Sequence, residues 1–113
     1  MKKSLIVLLI LSIVMTIFTV STFASRGKIG VAMPTQSLQR WNQDGANMKK
    51  QLEAAGFEVD LQYANNSVAT QISQLENMIL GGVEVLVIAS IDGSSLGTVL
   101  ETAKQEGIPI IAY

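Results

Sequence analysis

The stretch "LGGVEVLVIAS", residues 80–90, decides the fold of this chain. Two glycines end whatever precedes them, and "VEVLVIAS" is the most apolar segment of the sequence outside its first two dozen residues. A run of this kind reads as a strand at the centre of a parallel sheet, covered on both faces. The junction recurs in "AAGFEV" at residues 54–59 and "QEGIPI" at residues 105–110, so that Gly56, Gly82 and Gly107 stand 26 and then 25 residues apart. Each glycine suits the position after a helix, where the backbone turns left-handed. The period is that of successive strand-helix units, and the side chains between the glycines differ too much for a solenoid.

Working outward, "KIGVAM" (Lys28–Met33) is a short buried strand ended by Pro34. Leu38, Trp41, Gly45, Met48, Leu52 and Ala55 are spaced 3, 4, 3, 4, 3, which predicts one apolar seam on a helix that starts near Ser37 as N-cap and closes at Gly56. "FEVDLQY", residues 57–63, alternates apolar and polar positions, as a strand near a sheet edge does. After the turn "ANNS", Val68, Ile72, Leu75 and Ile79 mark a second helix, capped by Asn66 or Ser67 and stopped by Gly81 and Gly82. "IDGSS" turns into a third helix from Ser94 or Ser95 to Glu106, with Leu96, Val99, Leu100 and Ala103 inward and Gly107 after it. "IPIIAY" is a fourth strand with Pro109 near its start, where a lost ladder donor is tolerated, and it exposes an apolar edge or face. Right-handed crossovers then give an α/β, doubly wound parallel sheet of strand order 2-1-3-4.

The first residues read as an export segment. Lys2 and Lys3 precede an apolar stretch over residues 5–20, and "STFAS" ends in small residues, which places signal peptide cleavage after Ala24 and leaves residues 25–113 as one small domain. A retained anchor is the alternative, since the run approaches the roughly 20 residues that span a bilayer. With Lys2 and Lys3 set aside, six basic residues face nine acidic ones, so no basic surface invites nucleic acid. The chain has neither cysteine nor histidine. That excludes disulfides, thiolate metal sites and lipid attachment at a cysteine, and leaves any general base to carboxylate, lysine or tyrosine. We expect no metal, no cofactor and no catalysis. An exported chain of this kind is expected free in the periplasm.

Ligands of such sheets bind outside the carboxyl ends of the strands, where the strand order reverses. The segments that reach this crevice are "PTQSLQRW", "ANNS" and "SIDGSS", with Tyr113 on the rim. None carries a GxGxxG, a phosphate loop or a GxSxG nucleophile elbow. They hold instead amides (Gln36, Gln39, Asn42, Asn65, Asn66), hydroxyls (Ser37, Ser94, Ser95), Arg40, Asp92 and Trp41. A polyhydroxylated neutral ligand fits this set, because its hydroxyls accept from guanidinium and donate to carboxylate while its C–H face lies on an indole. Each residue also has a structural reading. Trp41 sits on the helical seam and can be core; Arg40 can be a solvated first-turn residue, though its charge opposes the helix dipole there. Asp92 can be a turn cap, Asn65 and Asn66 turn residues, and Met48 and Met78 plain helix packing.

The segments "KIGVAMPTQSLQRWNQDG", "LQYANN", "QISQLENMILGGVEVLVIASIDGSSL" and "GIPIIAY" together resemble the N-terminal lobe of periplasmic monosaccharide-binding proteins, in particular the xylose-binding and multiple-sugar-binding receptors of ABC importers. These are type I periplasmic binding proteins. The resemblance implies two α/β lobes that close on a pyranose, with Arg40 bonding ring or hydroxyl oxygens and Trp41 stacking on the sugar. It implies docking on an ABC permease in the inner membrane and, in some members, signalling to a chemoreceptor or sensor kinase. Members continue past the tyrosine with an acidic residue and an arginine and then cross to a second lobe, whereas this sequence stops at Tyr113. The expectation is therefore a truncated binding lobe for an aldose such as xylose, glucose or galactose, with Arg40, Trp41 and Asp92 on the ligand and reduced affinity without closure. A signal-anchored sensory or interaction domain and a non-functional fragment remain alternatives. An enzyme is disfavoured by the missing nucleophile-base pair, and a repressor by the export-like segment where a DNA-binding helix pair would stand.

Overall fold

The computed structural model describes residues 2–4 and 24–113. The apolar stretch read as signal or anchor, residues 5–20, lies outside the described residues. Among the described residues no helix is long and apolar enough to cross a membrane.

Within residues 24–113, four parallel strands alternate with three helices: β1 (Lys28–Met33), α1 (Gln39–Ala54), β2 (Glu58–Tyr63), α2 (Val68–Leu80), β3 (Val85–Ile88), a 3-10 turn (Gly93–Leu96), α3 (Gly97–Gln105) and β4 (Ile110–Ala112). The sheet order is β2-β1-β3-β4, as expected from right-handed crossovers. Register is set by pairs such as Val31 with Leu61, Val31 with Val87, and Val87 with Ile111. β2 lies at one edge, in keeping with its alternating sequence, and β3 lies between β1 and β4.

Alternation along the central strands divides the core in two. Ile29, Val31, Met33, Val59, Val87 and Ala89 form one cluster, against which Trp41, Met48 and Leu52 of α1 pack. Ala32, Leu86 and Ile88 point the other way, into a cluster with Leu75 and Met78 of α2 and Val99 and Ala103 of α3. One helix thus covers one face and two cover the other, the arrangement that a reversal between β1 and β3 requires. Gly30 makes the second cluster tight: a Cβ there would fall 2.8 Å from the Met78 sulfur and 2.8 Å from Leu86 Cδ2. The expected apolar edge is present, with Ile111 52% exposed on β4. Gly56, Gly82 and Gly107 all have positive φ, at 95°, 81° and 71°, which is why the three junctions share a glycine.

Several boundaries differ from expectation. Helix α1 is capped at Leu38, with no side-chain bond, and not at Ser37. The Ser37 hydroxyl is engaged with Thr35 Oγ1 at 2.9 Å, and Ser37 N–H donates to the same oxygen, so a local hydroxyl turn consumes the group that would have capped the helix. Leu38 and Ala55, read as inward, are exposed because they are the cap residues at the helix ends. For α2, Ser67 is the cap and accepts from Thr70 N–H at 3.2 Å. Asn66 instead adopts φ 57° beside Asn65 at 51°, so both asparagines are turn residues. The buried side of α2 is also rotated slightly from the seam expected, with Gln71, Leu75 and Met78 fully inward and Ile72 only partly. The third helix, expected from Ser94 or Ser95 to Glu106, spans Gly97–Gln105, because Ser94 and Ser95 lie in a 3-10 turn whose cap, Asp92, takes both hydroxyls on its carboxylate.

Candidate functional site

The carboxyl ends of the strands open onto the segments 34–38, 64–67 and 89–92 and onto Tyr113, whose N–H continues the ladder to Ile88 O at 3.0 Å. β1 delivers Pro34 and Thr35 into the interior, Thr35 being only 2% exposed, and the chain then rises to the first turn of α1. There Arg40 and Trp41 meet. The Arg40 guanidinium carbon lies 4.7 Å from the Trp41 ring centroid, a cation–π stack, while Arg40 Nε is 3.6 Å from Asp44 Oδ2 one turn along. The Tyr113 ring stands edge-on to the indole, with centroids 6.4 Å apart and planes at 68°.

Trp41 therefore has two roles at once. It is half-buried and packs on the α1-side core cluster, and its remaining ring surface meets a cation and a phenol at the crevice. Hydrogen bonding toward the Asp44 carboxylate, followed by desolvation and the carboxylate charge, raises the Tyr113 phenol above its ordinary 10.0 against the opposing pull of Arg40. A depression of 300 Å³ continues from Asp44 and Tyr113 along α1 over Asn47, Met48, Gln51 and Leu52.

Asp92 is placed differently. Its carboxylate accepts from Ser94 N–H at 3.0 Å and from the hydroxyls of Ser94 and Ser95, and these bonds hold its pKa below the ordinary 3.8. Its observed work is to cap the 3-10 turn. Among the described residues no hydrogen bond, ion pair or ring contact joins it to Arg40 or Trp41.

Two contributors escaped the sequence reading. Asp44 lies four residues after Arg40, a spacing that the helical period would have shown to share its face. Gln71 is wholly buried; its amide nitrogen donates to Ala89 O at 3.0 Å and its amide oxygen accepts from Ile91 N–H at 3.0 Å, tying α2 to the loop that carries Asp92. A polar residue between Val68 and Leu75 gave no sign of burial, because its partners are backbone groups supplied by the loop after β3. A larger groove of 680 Å³ runs beside α3 and β4, lined by Leu100, Glu101, Lys104, Ile108 and Ile110, and lacks the amide, guanidinium and indole groups gathered at the crevice.

A sequence profile described as "Periplasmic binding protein domain" matches residues 29–113. The multiple sugar-binding periplasmic receptor ChvE of Rhizobium radiobacter is 51% identical over 90 residues, covering 80% of this chain and 25% of that protein. The D-xylose-binding periplasmic protein of Escherichia coli is 41% identical over 111 residues, covering 98% of this chain and 33% of that protein. Among solved structures, an ABC transporter solute-binding protein from Clostridium phytofermentans with bound β-D-glucose superposes with a TM-score of 0.75 at 69% identity, over 76% of this chain and 26% of that one. The chain thus spans between a quarter and a third of the length of these curated relatives. Since the profile covers most of the sequence, and the matching structure superposes over 76% of it, the chain belongs to the periplasmic binding protein domain family.

Proposed function

We propose that this chain supplies the N-terminal lobe of an exported monosaccharide receptor serving an ABC importer. The observation that carries the reading is the Arg40–Trp41 pair at the carboxyl end of β1, an indole and a guanidinium in contact at the position where sheets of this kind take ligands. A pyranose presents an apolar C–H face to the indole and hydroxyls to the guanidinium. The Arg40 side chain, 72% exposed, is free to swing from the ring toward those hydroxyls. Asp92 is a weaker member of the site, because a ligand hydroxyl would compete with the two serines that already occupy its oxygens.

Relatives described as binding several sugars, D-xylose or β-D-glucose support an aldose, with glucose, xylose and galactose the first to try. The reading brings with it a permease partner, a periplasmic location and removal of the first 24 residues after Ala24; a chemoreceptor or sensor kinase is a further partner to test. Affinity in full depends on a second lobe closing over the sugar, since one lobe buries a ligand from one side only.

Trp41 is the only tryptophan, so its emission reports the site directly. Titration with glucose, xylose, galactose, arabinose and ribose should give a saturable change with one or a few of them, abolished in Arg40→Ala. A folded chain with no response to any of them would count against a half-site on this lobe.

A further inference from the structure

Helix α1 meets the end of β2 at a glycine. Gly45 is buried in the second turn of α1, four residues after Trp41 and on the same seam. A Cβ there would fall 2.5 Å from the Tyr63 hydroxyl oxygen, 3.2 Å from its Cζ and 3.3 Å from Leu61 Cδ1. The tyrosine fills the notch that the missing side chain leaves, and its hydroxyl donates to the Asn42 carbonyl at 3.3 Å. Asn42 follows Trp41 in the first turn of α1, and a carbonyl oxygen has two lone pairs, so this bond does not compete with the helical ladder. Tyr63 is itself held in place. It is the last residue of β2, opposite Met33 at the crevice end of the sheet, and its own carbonyl accepts from Gln74 Nε2 of α2 at 3.1 Å. Its ring packs on the core cluster that Trp41 also joins. Partial burial raises its phenol above the ordinary 10.0, so the group stays a donor at neutral pH. Helix α1 has use for such a holder, because its start carries no side-chain cap.

We propose that Tyr63, seated in the notch at Gly45, is a positioning residue of the sugar site: it holds the first turn of α1 against the end of β2 and so fixes the Trp41 ring before a ligand arrives. This role rests on the sugar-binding reading above. An indole already fixed in place spares part of the ordering entropy that binding would otherwise cost.

The test uses the full chain and the variants Tyr63→Phe, Gly45→Ala and the double variant Gly45→Ala/Tyr63→Phe, titrated with glucose and xylose through Trp41 emission at a temperature where thermal unfolding shows each to be folded. An alanine methyl cannot share the notch with the hydroxyl: the tyrosine swings out or the helix lifts, and either breaks the tie. Gly45→Ala should weaken sugar binding about tenfold and Tyr63→Phe about threefold. Alanine is the better helix former, so a loss in Gly45→Ala does not come from a weaker helix. Since Tyr63→Phe empties the space that the methyl needs, adding Gly45→Ala to it should cost less than about twofold more. In the unliganded protein, Trp41 emission of both single variants should move to the red and quench more readily with acrylamide. The role is overturned if either single variant binds sugar as the wild type does, or if the two losses add in full in the double variant. Where that happens while Arg40→Ala abolishes binding, the sugar reading stands and only the part given to Tyr63 falls. Should Gly45→Ala not fold, Tyr63→Phe decides, and wild-type affinity there overturns the role. A wild-type chain that binds none of the sugars overturns the sugar reading and this role with it.

Discussion

Helices α1 and α2 begin at the same end of the sheet, and they begin differently. The N-terminus of α2 has a serine cap bonded to Thr70 N–H, a buried glutamine stitched to the next loop, and Leu75 and Met78 sealed against the sheet. The N-terminus of α1 has an exposed leucine at the cap, no side-chain bond, and an arginine in the turn where the dipole favours an anion. The contrast teaches where this fold keeps its stability and where it keeps its exposed chemistry. Helix α2 is built to stay, while α1 presents Arg40 and Trp41 at the crevice and accepts a poorer helix start to do so.

That comparison can be broken from the α2 side first. Gln71→Leu should cost about 1–3 kcal/mol in denaturant unfolding, because it strands the Ala89 carbonyl and the Ile91 N–H. Ser67→Ala removes the cap and should cost about 1 kcal/mol by the same measurement. A Gln71→Leu protein as stable as wild type would show that water satisfies the loop and that the two helix starts are less different than their contacts imply.

Changes at α1 should sharpen the contrast. Leu38→Ser offers the missing cap at an exposed position and should gain about 0.5 kcal/mol or more. Arg40→Gln should shift stability by no more than about 0.5 kcal/mol, since its ion pair is exposed, yet abolish the sugar-dependent change in Trp41 emission. A stability loss as large as that of Ser67→Ala would assign Arg40 to the scaffold instead. The smallest expected effect is on acid sensitivity. The folded-state pKa of Asp92 lies below its ordinary 3.8, so its contribution to stability is complete above the ordinary value and is lost as pH falls through the folded one. Asp92→Asn should therefore flatten the dependence of stability on pH below the usual carboxylate range, with a small loss at neutral pH, where the charged contribution is complete.

The junctions from helix to strand were legible because glycine and apolar spacing act locally. A left-handed residue after each helix needs no knowledge of what packs above it, and Gly56, Gly82 and Gly107 all adopt that conformation. Capping was less legible, since Thr35, Ser37, Asn66, Ser67, Asp92, Ser94 and Ser95 compete for the same few N–H groups. Burial of Thr35 decided one such contest, drawing the Ser37 hydroxyl away from α1. At the candidate site, Arg40 and Trp41 were visible as odd residues for a first turn, and their contact follows from adjacency on one helix. Tyr113 was visible only as a rim position.

The sequence by itself determined the alternation of elements, the parallel sheet and its order, because periodicity, glycine punctuation and the handedness of crossovers are properties of the chain and of L-residues. Tertiary structure alone decided that Gln71 is buried against the loop after β3 and that the Tyr113 ring meets Trp41. Both depend on which backbone or side-chain group arrives from a distant segment. No spacing rule contains that information until the sheet has brought the strand ends together.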